Sequence, residues 1–367
     1  MAAPADAIYV DGQVRTLGSG EAVEALAVRD GRCCRLADTY EVEFLEGIET
    51  DRIDLAGRTV LPGFEAHVDL LGFGQRLVSD DRGTDQVAVV EPPAPGTIAE
   101  ARDYVDAALN EAARRGVTTL HATVGHPLVA RAAWDRDALP VRLRLHYVQR
   151  DAAALSDTVR RLGLVSGAGG PRRSIETIGV RVASAERPAG RQWIAPDGIP
   201  DFLGAASDAG FGVTLHTMDD RALAAAVEGA VGHAPGPARL ITDVPPAPEQ
   251  IQELEGAGIV VVLGPAAWST DLAPLDQVQD PGRQLRFSTG HSDVDPLGRL
   301  DGLIKEAGTS TTTALRLLTG TPAETAGIAL GEPADFVVLS GSLHDQPLAG
   351  LDVDLTVSDG RVVAGSA

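Results

Sequence analysis

Ile53-Asp-Leu-Ala-Gly-Arg-Thr-Val-Leu-Pro-Gly-Phe-Glu-Ala-His67-Val-Asp69 is the stretch on which the fold turns. Thr59–Phe64 reads as a strand and delivers His67 and Asp69 just past its end. On its N-terminal side lie short apolar runs punctuated by Asp-Gly. Ala7–Val10 meets Asp11-Gly12 and then Gln13–Leu17, and Ala25–Val28 meets Asp30-Gly31 and then Arg32–Leu36. Asp-Gly supplies the positive φ angles of a type I′ turn, so each pair predicts a hairpin. The far end returns to this style, with strands at Ala334–Leu339 and Asp352–Val357 and an Asp359-Gly360 turn before Arg361–Ala364. Strands of one character at both ends predict a small β-sandwich domain built from residues 1–58 and 328–367, with residues 59–327 inserted between them.

On the C-terminal side the pattern changes to strand-like runs alternating with amphipathic helices. After Thr59–Phe64 come Gly116–Leu120, Val141–Leu145, Ile178–Val182, Gly212–Leu215, Ala238–Thr242, Gly258–Leu263 and Leu285–Ser288. Helical stretches such as Ile98–Arg115, Asp219–Val231 and Pro248–Ala257 lie between them. Eight such β/α units predict an α/β fold, a (β/α)8 TIM barrel. A doubly wound open sheet is the structural alternative.

Composition narrows the partners. The 367 residues carry 52 Asp+Glu against 31 Lys+Arg, a net charge of -21. So negative a surface repels phosphate backbones and anionic lipid, which argues against a nucleic-acid binder and a membrane-surface protein. No apolar run is long enough to span a bilayer, and Met1–Asp6 lacks the basic head and apolar stretch of a secretory signal. Cys33 and Cys34 are adjacent with no third cysteine to pair with, so a reducing cytoplasm is the expected location. Lys305 is the only lysine, which confines any Schiff base or carboxylated lysine to that one place. There is no G-x-G-x-x-G or P-loop, so nothing points to a nucleotide cofactor.

Barrel active sites collect at the C-terminal ends of the strands. Of eight histidines, five fall there: His67, His121, His146, His216 and His291. Asp69, Asp219, Asp243 and Asp293 occupy similar places. A single such histidine is ordinarily a hydrogen-bonded loop residue; five converging on one face predict a polar pocket. Arg181 at the end of strand four would clamp a substrate carboxylate, or else pair with an aspartate. Tyr147 and Trp268 would stack on a planar ring or simply pack. Glu91–Gly96 reads as a loop near the mouth, suited to a lid.

The run from Gly57-Arg-Thr-Val-Leu-Pro-Gly-Phe to His67-Val-Asp69, with Gly331–Leu339 and Val357–Val363 at the far end, resembles the amidohydrolase superfamily along nearly the whole chain. Gly290–Gly298 and Leu215–Asp220 look like segments of its cytosine-deaminase-like branch. The resemblance implies a metal-bearing (β/α)8 barrel and a β-sandwich made by both termini. It also implies a ligand set of paired histidines after strand one, one histidine each after strands five and six, and an aspartate after strand eight. Here the match is partial. His67 and His216 fit, Asp69 replaces the second histidine, Asp293 fits strand eight, and strand six has no histidine, although Asp243 stands close by. Strand four offers Arg181 and no lysine, so a lysine-bridged two-metal centre is excluded.

Two readings follow. In the first, His67, Asp69, His216 and Asp293 hold one divalent ion (zinc, iron or manganese) that activates water for attack on a C–N bond of a small polar or cyclic molecule. Asp219 and Asp293 would move the proton, and Arg181, His121, His146 and His291 would bind substrate. In the second, the site has lost its metal, and the protein is a small-molecule binder or a barrel recruited for other chemistry. A homodimer is the commonest assembly for such chains.

Overall fold

The computed structural model describes residues 3–18, 22–71, 94–162, 166–184, 193–234, 236–264, 267, 285–287, 296–321 and 325–366. The largest sheet carries eight parallel strands in chain order: Phe64–Asp69, Val117–Val124, Arg142–Gln149, Arg173–Val182, Gly212–Thr217, Ala238–Thr242, Val260–Leu263 and Leu285–Phe287. They are called strands one to eight below. Backbone pairing runs from the first to the eighth. The sheet curls until its two edges meet through side chains, since Arg286 Nε on strand eight donates to Glu65 Oε2 on strand one at 2.9 Å. The helix Thr311–Thr319 packs against both edge strands.

Helices clothe the outside for a simple reason of spacing. In Ile98–Arg114 the residues Ala101, Val105, Ala108, Leu109 and Ala112 are buried, a 3.6-residue stripe facing the sheet. Thr97 caps that helix by accepting from the Glu100 amide. On the strands, Ala66, Val68, Leu120, Ala122, Leu143 and Leu145 belong to the same apolar cluster as the helices. The alternate residues Glu65, His67, Asp69, His121 and His146 therefore point into the curl, because successive strand side chains take opposite faces.

Two small sheets stand beside this assembly, one of order Arg32–Ala37, Ala25–Arg29, Ala7–Val10, Asp51–Asp54, the other of order Arg361–Gly365, Val353–Ser358, Phe336–Leu339, Thr59–Pro62, Gln13–Val14. One buried cluster, with Tyr9, Leu26, Leu55, Val60, Phe336 and Leu355, draws on both. Chain beginning and chain end thus share a core.

The decisive stretch resolves into two strands where one was expected. Thr59–Pro62 pairs with Phe336–Leu339 in a small sheet, and Phe64–Asp69 opens the large one. The switch falls at Gly63. Pro62 has no amide to continue a ladder, and a Cβ at Gly63 would come within 2.0 Å of the Thr118 hydroxyl oxygen. Asp11-Gly12 also differs from expectation. It does not close a hairpin, because Ala7–Val10 pairs with Ala25–Arg29 and Asp51–Asp54 while Gln13–Val14 pairs with Thr59–Val60. The pair instead carries the chain from one small sheet to the other, with Asp11 at φ 59. Asp30-Gly31 and Asp359-Gly360 do turn hairpins, both residues of each at positive φ.

Candidate active site

Strand one places Glu65, His67 and Asp69 on its inner face. His67 and His121 stand opposite each other in register and their rings stack, with centroids 4.4 Å apart and planes within 6°. His121 Nδ1 lies 3.1 Å from His146 Nε2, His146 Nδ1 lies 2.7 Å from Thr177 Oγ1, and Thr177 Oγ1 lies 2.5 Å from Thr214 Oγ1. A buried line of hydrogen bonds therefore crosses strands two to five. A register shift between Ile175 and Thr177 brings Thr177 to the level of His146. If each group donates toward strand five, the His121 Nε2 lone pair is left facing Glu65, whose Oε2 is 3.9 Å away.

Burial, above all, pushes the His67, His121 and His146 imidazoles well below their usual range, and the Arg239 charge nearby pushes the same way. All three are thus neutral at pH 7 in the folded state, whereas an unfolded imidazole takes up a proton near pH ~6.5. Stability is then fully present above the unfolded value and falls as the pH drops below it. Each histidine steepens the fall by up to about 1.4 kcal/mol per pH unit. Urea midpoints from pH 7.5 to 5.5 should decline accordingly, and His146→Gln should make the decline shallower. A flat profile would contradict neutral burial.

Glu65, His67 and His121 present ligand atoms that all lie within 4.8 Å of one another. Two neutral imidazoles and a carboxylate are a donor set for one divalent ion, with a chemistry open to zinc, iron or manganese. Gly320 makes room for the carboxylate: a Cβ there would fall 2.5 Å from Glu65 Oε2. Strand ends five and six add a second pair. His216 Nε2 lies 3.4 Å from Asp243 Oδ2, and a Cβ on Gly264 would strike Asp243 Oδ1 at 2.0 Å.

The other expected residues fall as follows. Asp69 accepts from Arg181 Nη2 at 3.1 Å, so the aspartate alternative for Arg181 is the one observed. Asp219 is an N-cap: its two oxygens accept from the Ala222 and Ser184 amides, each at 2.9 Å. That geometry gives Asp219 a capping role at the start of the helix Asp220–Ala230. His121 and His146, expected to touch substrate, are buried among histidines and threonines. Tyr147 packs against the apolar core. Asp293, His291, Trp268 and Glu91–Pro93 lie outside the described residues. Cys33 is buried in the small-sheet core, where burial raises its thiol to about 12.

Five interior charges among the described residues went unremarked in the sequence: Glu65, Arg144, Glu176, Arg239 and Arg286. Glu65 had a signal, since it alternates with His67 and Asp69 along one strand.

No protein-family model matches the chain, and neither does any curated protein. Solved structures do match over nearly the full length. An uncharacterized metal-dependent hydrolase from Pyrococcus furiosus superposes with a TM-score of 0.69 at 14% identity, covering 94% of this chain and 99% of that one. E. coli guanine deaminase gives 0.68 at 13%, covering 98% and 99%. An adenosine deaminase from Xanthomonas campestris with bound zinc gives 0.67 at 17%, covering 99% and 93%. The chain has their fold. Two deaminases and a metal-dependent hydrolase thus align with it over nearly its whole length. No described helix is long and apolar enough to cross a membrane.

Proposed function

We propose that the protein is a metal-dependent member of the amidohydrolase superfamily that hydrolyses or deaminates a non-peptide C–N bond in a small polar or cyclic molecule. In this reading the large sheet is a closed (β/α)8 barrel and the two small sheets are its β-sandwich companion. The observation that carries it is the cluster of Glu65, His67 and His121 inside a fold held in common with metal-dependent hydrolases and deaminases. Those three residues would hold one divalent ion. Bound there, the ion would lower the pKa of a water and supply hydroxide near neutral pH.

The remaining tasks fall to the chain's own groups. His67 and His121 are neutral, so their lone pairs are available without loss of a proton. His146 and Thr177 fix the tautomer and ring angle of His121 through the buried hydrogen-bond line. His216, steadied by Asp243, would take a proton from water and return it to the leaving nitrogen. Asp69, neutralised by Arg181, becomes a wall of the mouth and gives up the role of ligand.

The test is amine or ammonia release from cyclic amides, cyclic ureas and aminated bases by protein loaded with zinc or manganese. Turnover of at least one class is expected, with a ~10²–10⁴-fold loss in His216→Ala. Wild-type rates in that variant would remove His216 from the chemistry, and release from none of the classes would count against the C–N reading.

A further inference from the structure

Among the described residues four arginines face the barrel interior, and three of them are matched by carboxylates. Arg286 Nε donates to Glu65 at 2.9 Å, Arg181 Nη2 donates to Asp69 at 3.1 Å, and Arg144 Nε lies 3.6 Å from Glu176 Oε1. Arg144 also donates to Ser174 Oγ and the Pro171 carbonyl. Arg239, on strand six, has no such partner among the described residues. The residue is half-buried, and its Nη1 is shut off from solvent with no hydrogen bond.

Position makes this cation central. Strand-six register sets Arg239 opposite Thr214, the last hydroxyl of the histidine line. Its charge is felt by His67, His121 and His146 alike. The Glu65 and Glu176 charges stabilise it, the Arg286 and Arg144 charges oppose it, and burial outweighs both, pulling its pKa down to about 10. Arg144, Arg239 and Arg286 together set three positive charges against the two negative ones of Glu65 and Glu176. A buried guanidinium nitrogen with nothing to donate to is unfavourable, and is retained where a ligand completes it.

We propose that Arg239 is the anchor for a single carboxylate on the substrate, so that the molecule cleaved is an acidic amide or an acidic cyclic compound. The inference rests on the proposed reading of the barrel as a C–N hydrolase and names its substrate class. A carboxylate matches the planar fork of guanidinium and supplies the acceptor that Arg239 lacks among the described residues. A phosphate dianion would bring two negative charges, where a carboxylate brings one, toward a lining that already holds Glu65 and Glu176.

The test is thermal melting and calorimetric titration of the full chain with succinamate, succinamide, and inorganic phosphate. Succinamate should raise the melting temperature of the wild type in a saturable way, and the isosteric neutral succinamide should not. Arg239→Gln removes the buried charge without changing the stem much, and should weaken succinamate at least tenfold; Arg239→Lys should retain part of the affinity. Equal shifts with succinamate and succinamide, an undiminished response in Arg239→Gln, or a larger shift with phosphate would each overturn the assignment, as would no response to any anion. Because binding is read without turnover, these results are separate from the hydrolase reading. A metal-loaded, active protein with an unchanged Arg239→Gln response would leave hydrolysis standing and dismiss the carboxylate site.

Discussion

Protein produced in medium supplemented with zinc and iron is expected to carry about one transition-metal ion per chain, and His67→Ala to carry almost none. His67 is the shared element of every ligand set considered, whether completed by Glu65 and His121 or by Asp69, His216 and Asp293. It is held buried with its ring stacked on His121, so the substitution removes a donor and the surface that orients the next one. The affinity loss should exceed the ~10–100-fold typical of losing an outer partner. Thr177→Val supplies that milder case, because Thr177 acts through His146 on His121. Metal analysis and competitive chelator titration read both. An ordered series is the expected result, with wild type tightest, Thr177→Val intermediate and His67→Ala weakest. Wild-type protein that takes up neither zinc, iron nor manganese would end the hydrolase reading and return the metal-free alternative.

The largest effect on stability should come from Arg142→Ala. Arg142 is buried at the start of strand three, away from the histidines, and reaches two carboxylates of the chain end. Its Nε donates to Asp335 Oδ2 at 2.8 Å and its Nη2 to Asp359 Oδ1. Arg172 Nη1 donates to Asp359 Oδ2 at 2.8 Å, and the Asp359 amide donates to Asp335 Oδ1 at 2.7 Å. The large sheet is thereby fastened to the closing strands through one small charged knot. Removing the buried member leaves Asp335 without its cation and Asp359 with Arg172 alone, a loss of roughly 3–5 kcal/mol. Arg172→Ala, at a more exposed site, should cost less. Denaturant unfolding followed by two probes measures this. A loss below about 1 kcal/mol for Arg142→Ala would show the knot to be ornamental.

What the sequence makes legible here is what local chemistry writes. Two of the Asp-Gly turns, the eight strands and the stripe of Ile98–Arg114 depend on neighbours a few residues away. Asp11-Gly12 misleads because its turn chemistry is the same whether the chain reverses into a partner or crosses to another sheet. The difference lies in Leu55, whose side chain leaves no room for a Cβ at Gly12. The site was legible at its histidines, at Asp243 and at Asp69 and Arg181, but not at the charges that meet only through the curl. Arg286 and Glu65 are 221 residues apart, and their pairing is a product of the curl. Asp69 and Arg181 likewise meet across 112 residues, so the position expected to supply a carboxylate ligand holds an ion pair. The capping role of Asp219 was not legible, because an N-cap and a catalytic carboxylate occupy the same place in a β/α unit.

The pairing of Thr59–Pro62 with Phe336–Leu339 sets a timetable for the ribosome. Thr59–Pro62 leaves the exit tunnel long before its antiparallel neighbour has been translated. At roughly 5–20 residues per second the wait is on the order of tens of seconds. Through that interval one flank of the nascent strand is unpaired, and Asp335 and Asp359 have not arrived to meet Arg142. The knot is therefore tied only once Asp359 has been translated, and a chain stalled short of it would present Thr59–Pro62 as an open edge to chaperones and proteases.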